Sequence, residues 1–234
     1  MKKIVVEFRQ KFVICNQEPI LIERSYDMKT KSSNRTTKLV QISLLVAIIL
    51  LMAFTPIGYI RTLGLEITLI VIPVTVGAII LGPTSGAILG AVFGATSFIQ
   101  CFGMSPFGAA LLAINPWATF ILCMVPRVLM GWLSGLIYAG LKRGNRNKNF
   151  AMMISNLSGP LLNTLLFMTT LILFFYSTEF IQGIATSLGT SSVIAFVIAF
   201  VGLNGLIEAG ACFVLGSAVS KALDLFQQKA GSKY

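Results

Sequence analysis

The sequence predicts an all-α integral membrane protein with six transmembrane helices and with both termini in the cytoplasm. Three observations lead to this fold class. Of the 234 residues, 56% are hydrophobic and only 11% are charged, apolar runs recur along the chain, and the basic residues cluster between those runs. Soluble domains carry charge on about a quarter of their residues, whereas a bilayer core about 30 Å thick requires apolar helices of about 20 residues. The composition therefore predicts a protein that folds in a lipid bilayer.

Six apolar runs are the predicted spans, and prolines, glycines and charged residues bound them. They cover residues 39–56, 67–81, 85–102, 118–141, 150–176 and 193–223. The domains follow from these spans: a basic polar cytoplasmic tail over 1–37, a six-helix membrane domain over 38–224 and a cytoplasmic C-terminal tail over 225–234. Met28 offers a second start, in which case residues 1–27 would not belong to the protein.

The distribution of positive charge predicts the topology. The chain has 18 Lys and Arg residues and a formal net charge of +10, and the basic residues cluster in 1–38, 142–148 and 221–233. Six spans that start from a cytoplasmic N-terminus place all three clusters on the cytoplasmic side, as the positive-inside rule requires. Clusters of this kind face anionic lipid headgroups, so nucleic acid is not an expected partner.

Several kinds of chemistry are not expected. The sequence has no histidine, which removes Ser-His and Cys-His nucleophilic pairs and His-based metal centres. Its four cysteines show no close spacing, so neither a disulfide framework nor a metal site is predicted. No GxxxxGK[ST] phosphate-binding loop is present. We therefore expect no enzyme, no catalytic residue, no metal and no cofactor.

Arg127 lies inside the fourth predicted span, directly after Pro126. A charge in hydrocarbon costs at least about 3 kcal/mol unless it faces protein or water, so Arg127 must have a partner. One interpretation is an ion pair with Glu208 of the sixth span. The other is an anchor for an anionic or strongly polar solute. The residues alone leave both open.

Amide side chains suggest a polar pocket in the outer half of the membrane. Asn156 and Asn163 lie seven residues apart and therefore share one face of the fifth span. Together with Arg127, the candidate solute-binding residues are Asn163, Gln100, Asn115 and Trp117. The competing interpretation is that the amides form hydrogen bonds between helices.

Small residues predict close helix packing. Gly82, Gly86, Gly90 and Gly94 recur every four residues and so form one bare helix face, and Gly131 and Gly135 repeat the pattern in the fourth span. In the first span Ser43 and Ala47 form a small-xxx-small pair that faces either a sister helix or a partner protein.

These features resemble the substrate-binding S components of energy-coupling factor (ECF) vitamin transporters over nearly all of residues 38–223. The segments that carry the resemblance are SLLVAIILLMAF, IPVTVGAIILGPTSGAILGAVFGATSF and VPRVLMGWLSGLIYAGLKR. The resemblance is greatest to pantothenate-type S components, and pyridoxine or cobalamin is an alternative vitamin.

The resemblance implies a multi-pass protein of the cell membrane that captures a vitamin from outside. It also implies partners, namely a membrane coupling subunit and two ATPase subunits, and it implies that Ser43 and Ala47 contact the coupling subunit. A stand-alone secondary transporter is one alternative from a different class, although residues 39–141 and 150–223 show no obvious repeat. A scaffold or assembly subunit is another.

Overall fold

The computed structural model describes residues 35–55, 59–61, 66–144, 147–190, 192–222 and 225. The chain divides into two compact units, Met1–Ser43 and Leu44–Tyr234. Most of both predicted tails, together with the second start at Met28, lies outside the described residues. Those predictions therefore stay predictions.

Helices make up nearly all of the described chain. Helix α1 covers Arg35–Phe54. It is followed by α2 (Val71–Leu81), α3 (Pro83–Gln100), α4 (Pro106–Ile114), α5 (Pro116–Arg143), α6 (Lys148–Phe175), α7 (Glu179–Ser187) and α8 (Val193–Ala211). A π-helical segment, Cys212–Gly216, continues α8.

Proline and polar caps fix where several of these helices start. Helices α3, α4 and α5 each have a proline in the first turn, where the missing N–H costs no hydrogen bond. Ser105 and Asn115 cap α4 and α5 by accepting hydrogen bonds from the backbone N–H groups of Gly108 and Ala118. Local sequence thus sets where helices α3, α4 and α5 begin.

Each predicted span overlaps a helix. Helices α1, α5 and α6 are long and apolar enough to cross a bilayer, whereas α2 and the Val193–Gly202 part of α8 are apolar but shorter. The prediction of a helical protein with membrane-spanning segments is thus supported. The count of six spans and the cytoplasmic termini stay predictions.

The all-α prediction missed a short β-hairpin before α2. Strands β1 (Tyr59–Arg61) and β2 (Glu66–Thr68) pair antiparallel, with Ile60 opposite Ile67. The second predicted span was therefore wrong at its start, because Ile67 belongs to a strand and the helix begins at Val71. At 1.5 Å per residue the 11 residues of α2 extend about 16 Å, roughly half of a bilayer core.

Glycines bring α3 and α5 into backbone contact, as the glycine spacing predicted. A β-carbon at Gly86 would clash with the carbonyl oxygen of Gly131, and one at Gly90 would clash with that of Arg127. A β-carbon at Gly94 would lie 2.8 Å from the carbonyl oxygen of Cys123. Gly82 has a different role, because its φ of 97° closes α2 in a conformation that favours glycine.

We expect the Gly86→Ala variant to unfold more easily than the wild-type protein by about 1–3 kcal/mol, because the new methyl group must push α3 and α5 apart. Gly140→Ala is the matched control, since Gly140 lies in α5, the helix against which Gly86 packs, and nothing lies within 4 Å of its β-carbon position. Thermal unfolding of both variants in detergent checks the prediction. Equal stability of the two variants would contradict close packing at Gly86.

The last helix is irregular. Helix α8 is kinked at Gly202, where φ is 17° and ψ is −116°. Before the kink, Phe196 and Phe200 pack in an apolar cluster with Leu111, Leu122 and residues of α6 and α7. Phe167 is partly buried and packs against this cluster.

Candidate functional site

Pro126 explains how the Arg127 side chain is held. Proline has no N–H, so the carbonyl oxygen of Leu122, four residues earlier, loses its helical hydrogen bond. Arg127 Nη1 donates a hydrogen bond to this oxygen at 2.7 Å. The guanidinium therefore folds back along α5 and satisfies the carbonyl that the proline leaves unpaired.

Two aromatic rings flank the guanidinium. Its central carbon lies 4.8 Å from the ring centroid of Phe167 in α6 and 5.6 Å from that of Phe93 in α3. Both distances fall within the roughly 6 Å range of cation–π attraction. Neither phenylalanine was among the residues that the sequence singled out, although each lies one helical turn from Gly90 or Asn163, which were.

The guanidinium keeps donor capacity that the protein does not use. Arg127 is only partly buried, but its Nε atom is buried and has no hydrogen-bond partner among the described residues. A buried donor without a partner costs about 1–3 kcal/mol, and more when the group is charged. Such a group is expected where a ligand or water supplies the missing acceptor.

Glu208 is not the partner of Arg127. Its Oε1 atom accepts a hydrogen bond from Thr68 Oγ1 at 3.0 Å, and among the described side chains Arg127 and Glu208 form no ion pair. The direct ion pair of the first interpretation is therefore not formed among the described side chains, although Arg127 is close enough to act electrostatically on the Glu208 carboxylate. Thr68 is the last residue of strand β2, in the hairpin that the sequence did not predict.

Asn163 carries a buried acceptor that has no partner among the described residues. Its side chain is 7% exposed, and its Oδ1 atom has no hydrogen-bond partner in the described part of the chain. Asn163 precedes Phe167 by one turn of α6, so the two side chains share a face, and Phe167 contacts Arg127. Asn163 therefore lies on the same face of α6 as the ring that contacts Arg127, and we call these residues the Arg127–Asn163 site.

The other candidate residues have structural partners. Gln100 Nε2 donates to the carbonyl oxygen of Ala53 at 2.6 Å and so ties α3 to the end of α1. Asn115 caps α5, and Trp117 is 80% exposed. The described contacts bring none of these three side chains to Arg127. A solute-binding role for them stays a prediction.

Asn156 forms a hydrogen bond between helices, as the second interpretation of the amide side chains predicted. Its Nδ2 atom donates to the carbonyl oxygen of Met152 and, at 3.1 Å, to Ser220 Oγ, which joins α6 to the helical residues 217–222. The Oδ1 atoms of Asn156 and Asn163 are both buried without a partner among the described residues. What distinguishes Asn156 is its Nδ2 atom, which holds helices together.

Comparison with known proteins defines the class. Residues 37–220 match the family of substrate-specific components of ECF transporters, and the chain belongs to this family. The resemblance that the sequence motifs indicated is thereby confirmed. The family consists of transport proteins rather than enzymes, and with the apolar helices it makes this chain a membrane protein.

Two individual proteins are similar to this chain, and both are named after the solute they transport. The chain is 28% identical over 214 residues to a protein named pantothenate transporter PanT from Leuconostoc mesenteroides, an alignment that covers 86% of this chain and 99% of the relative. It is 32% identical over 148 residues to a protein named pantothenic acid transporter PanT from Lactococcus lactis, with 56% of this chain and 72% of the relative covered.

Proposed function

We propose that this chain is the pantothenate-binding component of an ATP-driven importer of the cell membrane. It takes pantothenate from outside and delivers it through a separate ECF module that consists of a membrane coupling subunit and two ATPases. The observation that carries the proposal is the Arg127–Asn163 site, with its unused donor and unused acceptor, in a relative of two proteins named as pantothenate transporters.

The chemistry of pantothenate fits these two groups. Its carboxylate is an acceptor that matches the positive charge and free Nε of Arg127, and a charge-assisted hydrogen bond of this kind is about twice as strong as a neutral one. Its hydroxyl and amide N–H groups are donors that match Asn163 Oδ1. We propose that Gln100, Asn115 and Trp117 contact the solute on its way to this site.

Contact with the coupling subunit is proposed for α1. Ser43 and Ala47 are both exposed, and Ser43 Oγ donates to the carbonyl oxygen of Leu39 at 3.0 Å, so its hydroxyl does not need a partner from another protein. Each position therefore offers a small surface on which another helix can pack closely.

Pantothenate is expected to raise the thermal stability of the detergent-purified protein, and other water-soluble vitamins are not. A ligand at about 100 times its dissociation constant adds about 2.7 kcal/mol to the free energy of unfolding. A panel that contains pantothenate, pyridoxine and cobalamin is the measurement. If pyridoxine or cobalamin raised the thermal stability instead, that vitamin would replace pantothenate as the proposed solute. If no vitamin raised it, the result would contradict the proposal.

One observation favours the alternative of a stand-alone secondary transporter. Helix α8 is interrupted at Gly202 and continues into a π-helical segment, and interrupted helices line the solute sites of many such transporters. Reconstitution into liposomes separates the two. We expect uptake of pantothenate only with the ECF module and ATP, whereas uptake driven by an ion gradient without the module would establish the alternative.

A further inference from the structure

Two cysteines that are distant in sequence lie side by side. Cys101 directly follows α3 and Cys123 belongs to α5, and their Sγ atoms are 3.9 Å apart. Both are free cysteines, and they are 5% and 6% exposed. A disulfide bond is about 2.05 Å long, so closing one here requires a movement of about 2 Å.

Small residues leave the two thiols room to approach each other. A β-carbon at Gly94 would lie 2.8 Å from the carbonyl oxygen of Cys123, so α3 and α5 already touch through their backbones at Cys123 itself, about two turns before Cys101 in α3. A β-carbon at Gly108 of α4 would lie 2.7 Å from Cys101 Sγ. No bulky side chain of the described residues separates the two sulfur atoms at their 3.9 Å distance.

The pair is linked to the Arg127–Asn163 site through the backbone of α5. Cys123 directly follows Leu122, whose carbonyl oxygen accepts the hydrogen bond from Arg127 Nη1. Cys123 also precedes Arg127 by one helical turn. The two sulfur atoms must approach by about 2 Å in total, and the part of this movement that the backbone of α5 takes up shifts the Leu122 carbonyl and lengthens the 2.7 Å hydrogen bond from Arg127.

We propose that Cys101 and Cys123 form an oxidisable dithiol, a modification site that a peroxide converts to a disulfide between the end of α3 and α5. One thiolate attacks a peroxide oxygen, and the O–O bond breaks to give a sulfenic acid and, after protonation, water or an alcohol. The second thiol attacks the sulfenic sulfur, the S–S bond forms and water leaves. The two thiols lose two hydrogens and two electrons in total, and the peroxide gains them.

Closure of the disulfide disables solute capture, because it displaces Leu122 and with it the Arg127 guanidinium. This consequence rests on the proposed function, whereas formation of the disulfide does not. Reduction by a dithiol reverses the bond and restores the site. The cysteine pair thus makes solute binding sensitive to oxidants.

The test uses full-length protein in which Cys15→Ser and Cys212→Ser leave only this pair. Hydrogen peroxide should produce a species that has lost two hydrogens by intact mass, with a peptide cross-link between positions 101 and 123 that dithiothreitol removes. The same protein with Cys101→Ser is the matched control, and it should gain oxygen instead. Oxidation of the pair to sulfinic acids, or no reaction, would overturn the dithiol.

Binding is then measured on the reduced, oxidised and re-reduced protein. We expect pantothenate to bind at least about tenfold more weakly after oxidation, a loss of about 1.4 kcal/mol, and to recover after reduction. The Cys101→Ser control should keep its affinity under the same treatment. A cross-linked protein with unchanged affinity would overturn the link to Arg127, whereas absence of binding to the reduced protein would count against the proposed function and leave the cross-link result intact.

Discussion

Replacing Arg127 with alanine is expected to weaken pantothenate binding by about 100-fold and binding of its uncharged alcohol analogue by less than about tenfold. The guanidinium is partly buried, is flanked by Phe93 and Phe167, and has a buried Nε without a partner among the described residues. Charge-assisted hydrogen bonds of this kind contribute about 1.5–3 kcal/mol, which corresponds to roughly 10- to 150-fold in affinity. The ratio of the two affinities, measured by titration calorimetry, is the readout.

The ratio matters because the Arg127→Ala variant also loses a structural hydrogen bond. Without Nη1 the carbonyl oxygen of Leu122 has no donor, and this defect weakens binding of both ligands alike. Glu208→Gln is the control, because Glu208 is bonded to Thr68 rather than to Arg127 and a glutamine oxygen can accept the same bond. Equal losses for both ligands, or a strong effect of Glu208→Gln, would contradict an Arg127–carboxylate contact.

The Asn163→Leu variant is expected to bind pantothenate about tenfold more weakly and yet to be more stable than the wild-type protein when empty. Asn163 Oδ1 is buried without a partner among the described residues, so an apolar side chain of similar volume removes a penalty of about 1 kcal/mol or more. The same change deletes the acceptor that we propose for the solute. Thermal unfolding without ligand and calorimetry with ligand measure the two effects separately.

The Asn156→Leu variant is the matched control on the same face of α6. Asn156 Oδ1 is likewise buried without a partner among the described residues, but Asn156 Nδ2 donates to Met152 and to Ser220, and the loss of these two bonds should lower the stability of the empty protein. Opposite signs of the two stability changes would support different roles for the two asparagines. If Asn163→Leu destabilised the empty protein as Asn156→Leu does, Asn163 would be a packing residue.

The helix-packing surface could be predicted from the sequence because it depends on local periodicity. Glycines at intervals of four residues must share a helix face, and the contacts of Gly86 with Gly131 and of Gly90 with Arg127 follow from that spacing. The hairpin could not be predicted in the same way. Residues 66–73 are almost continuously apolar, so hydropathy alone does not distinguish strand β2 from the start of α2.

The site was predictable in part. A charge inside a span must have a partner, and this argument singled out Arg127 correctly as a residue that needs explanation. Its partner, the Leu122 carbonyl, could also have been predicted from the sequence, because Pro126 leaves the carbonyl four residues before it without a helical hydrogen bond. The contacts of Gln100 with Ala53 and of Cys101 with Cys123 join residues that are 47 and 22 positions apart, and no local rule predicts them.

Equilibrium binding of radiolabelled pantothenate to the purified wild-type protein tests the central claim most directly. We expect saturable binding of one molecule per chain, weak competition by the uncharged alcohol analogue, and loss of saturable binding in the Arg127→Ala variant. Saturable binding that the alcohol competes for as well as unlabelled pantothenate does would contradict recognition of the carboxylate at Arg127. Absence of saturable binding to the wild-type protein would contradict the account as a whole.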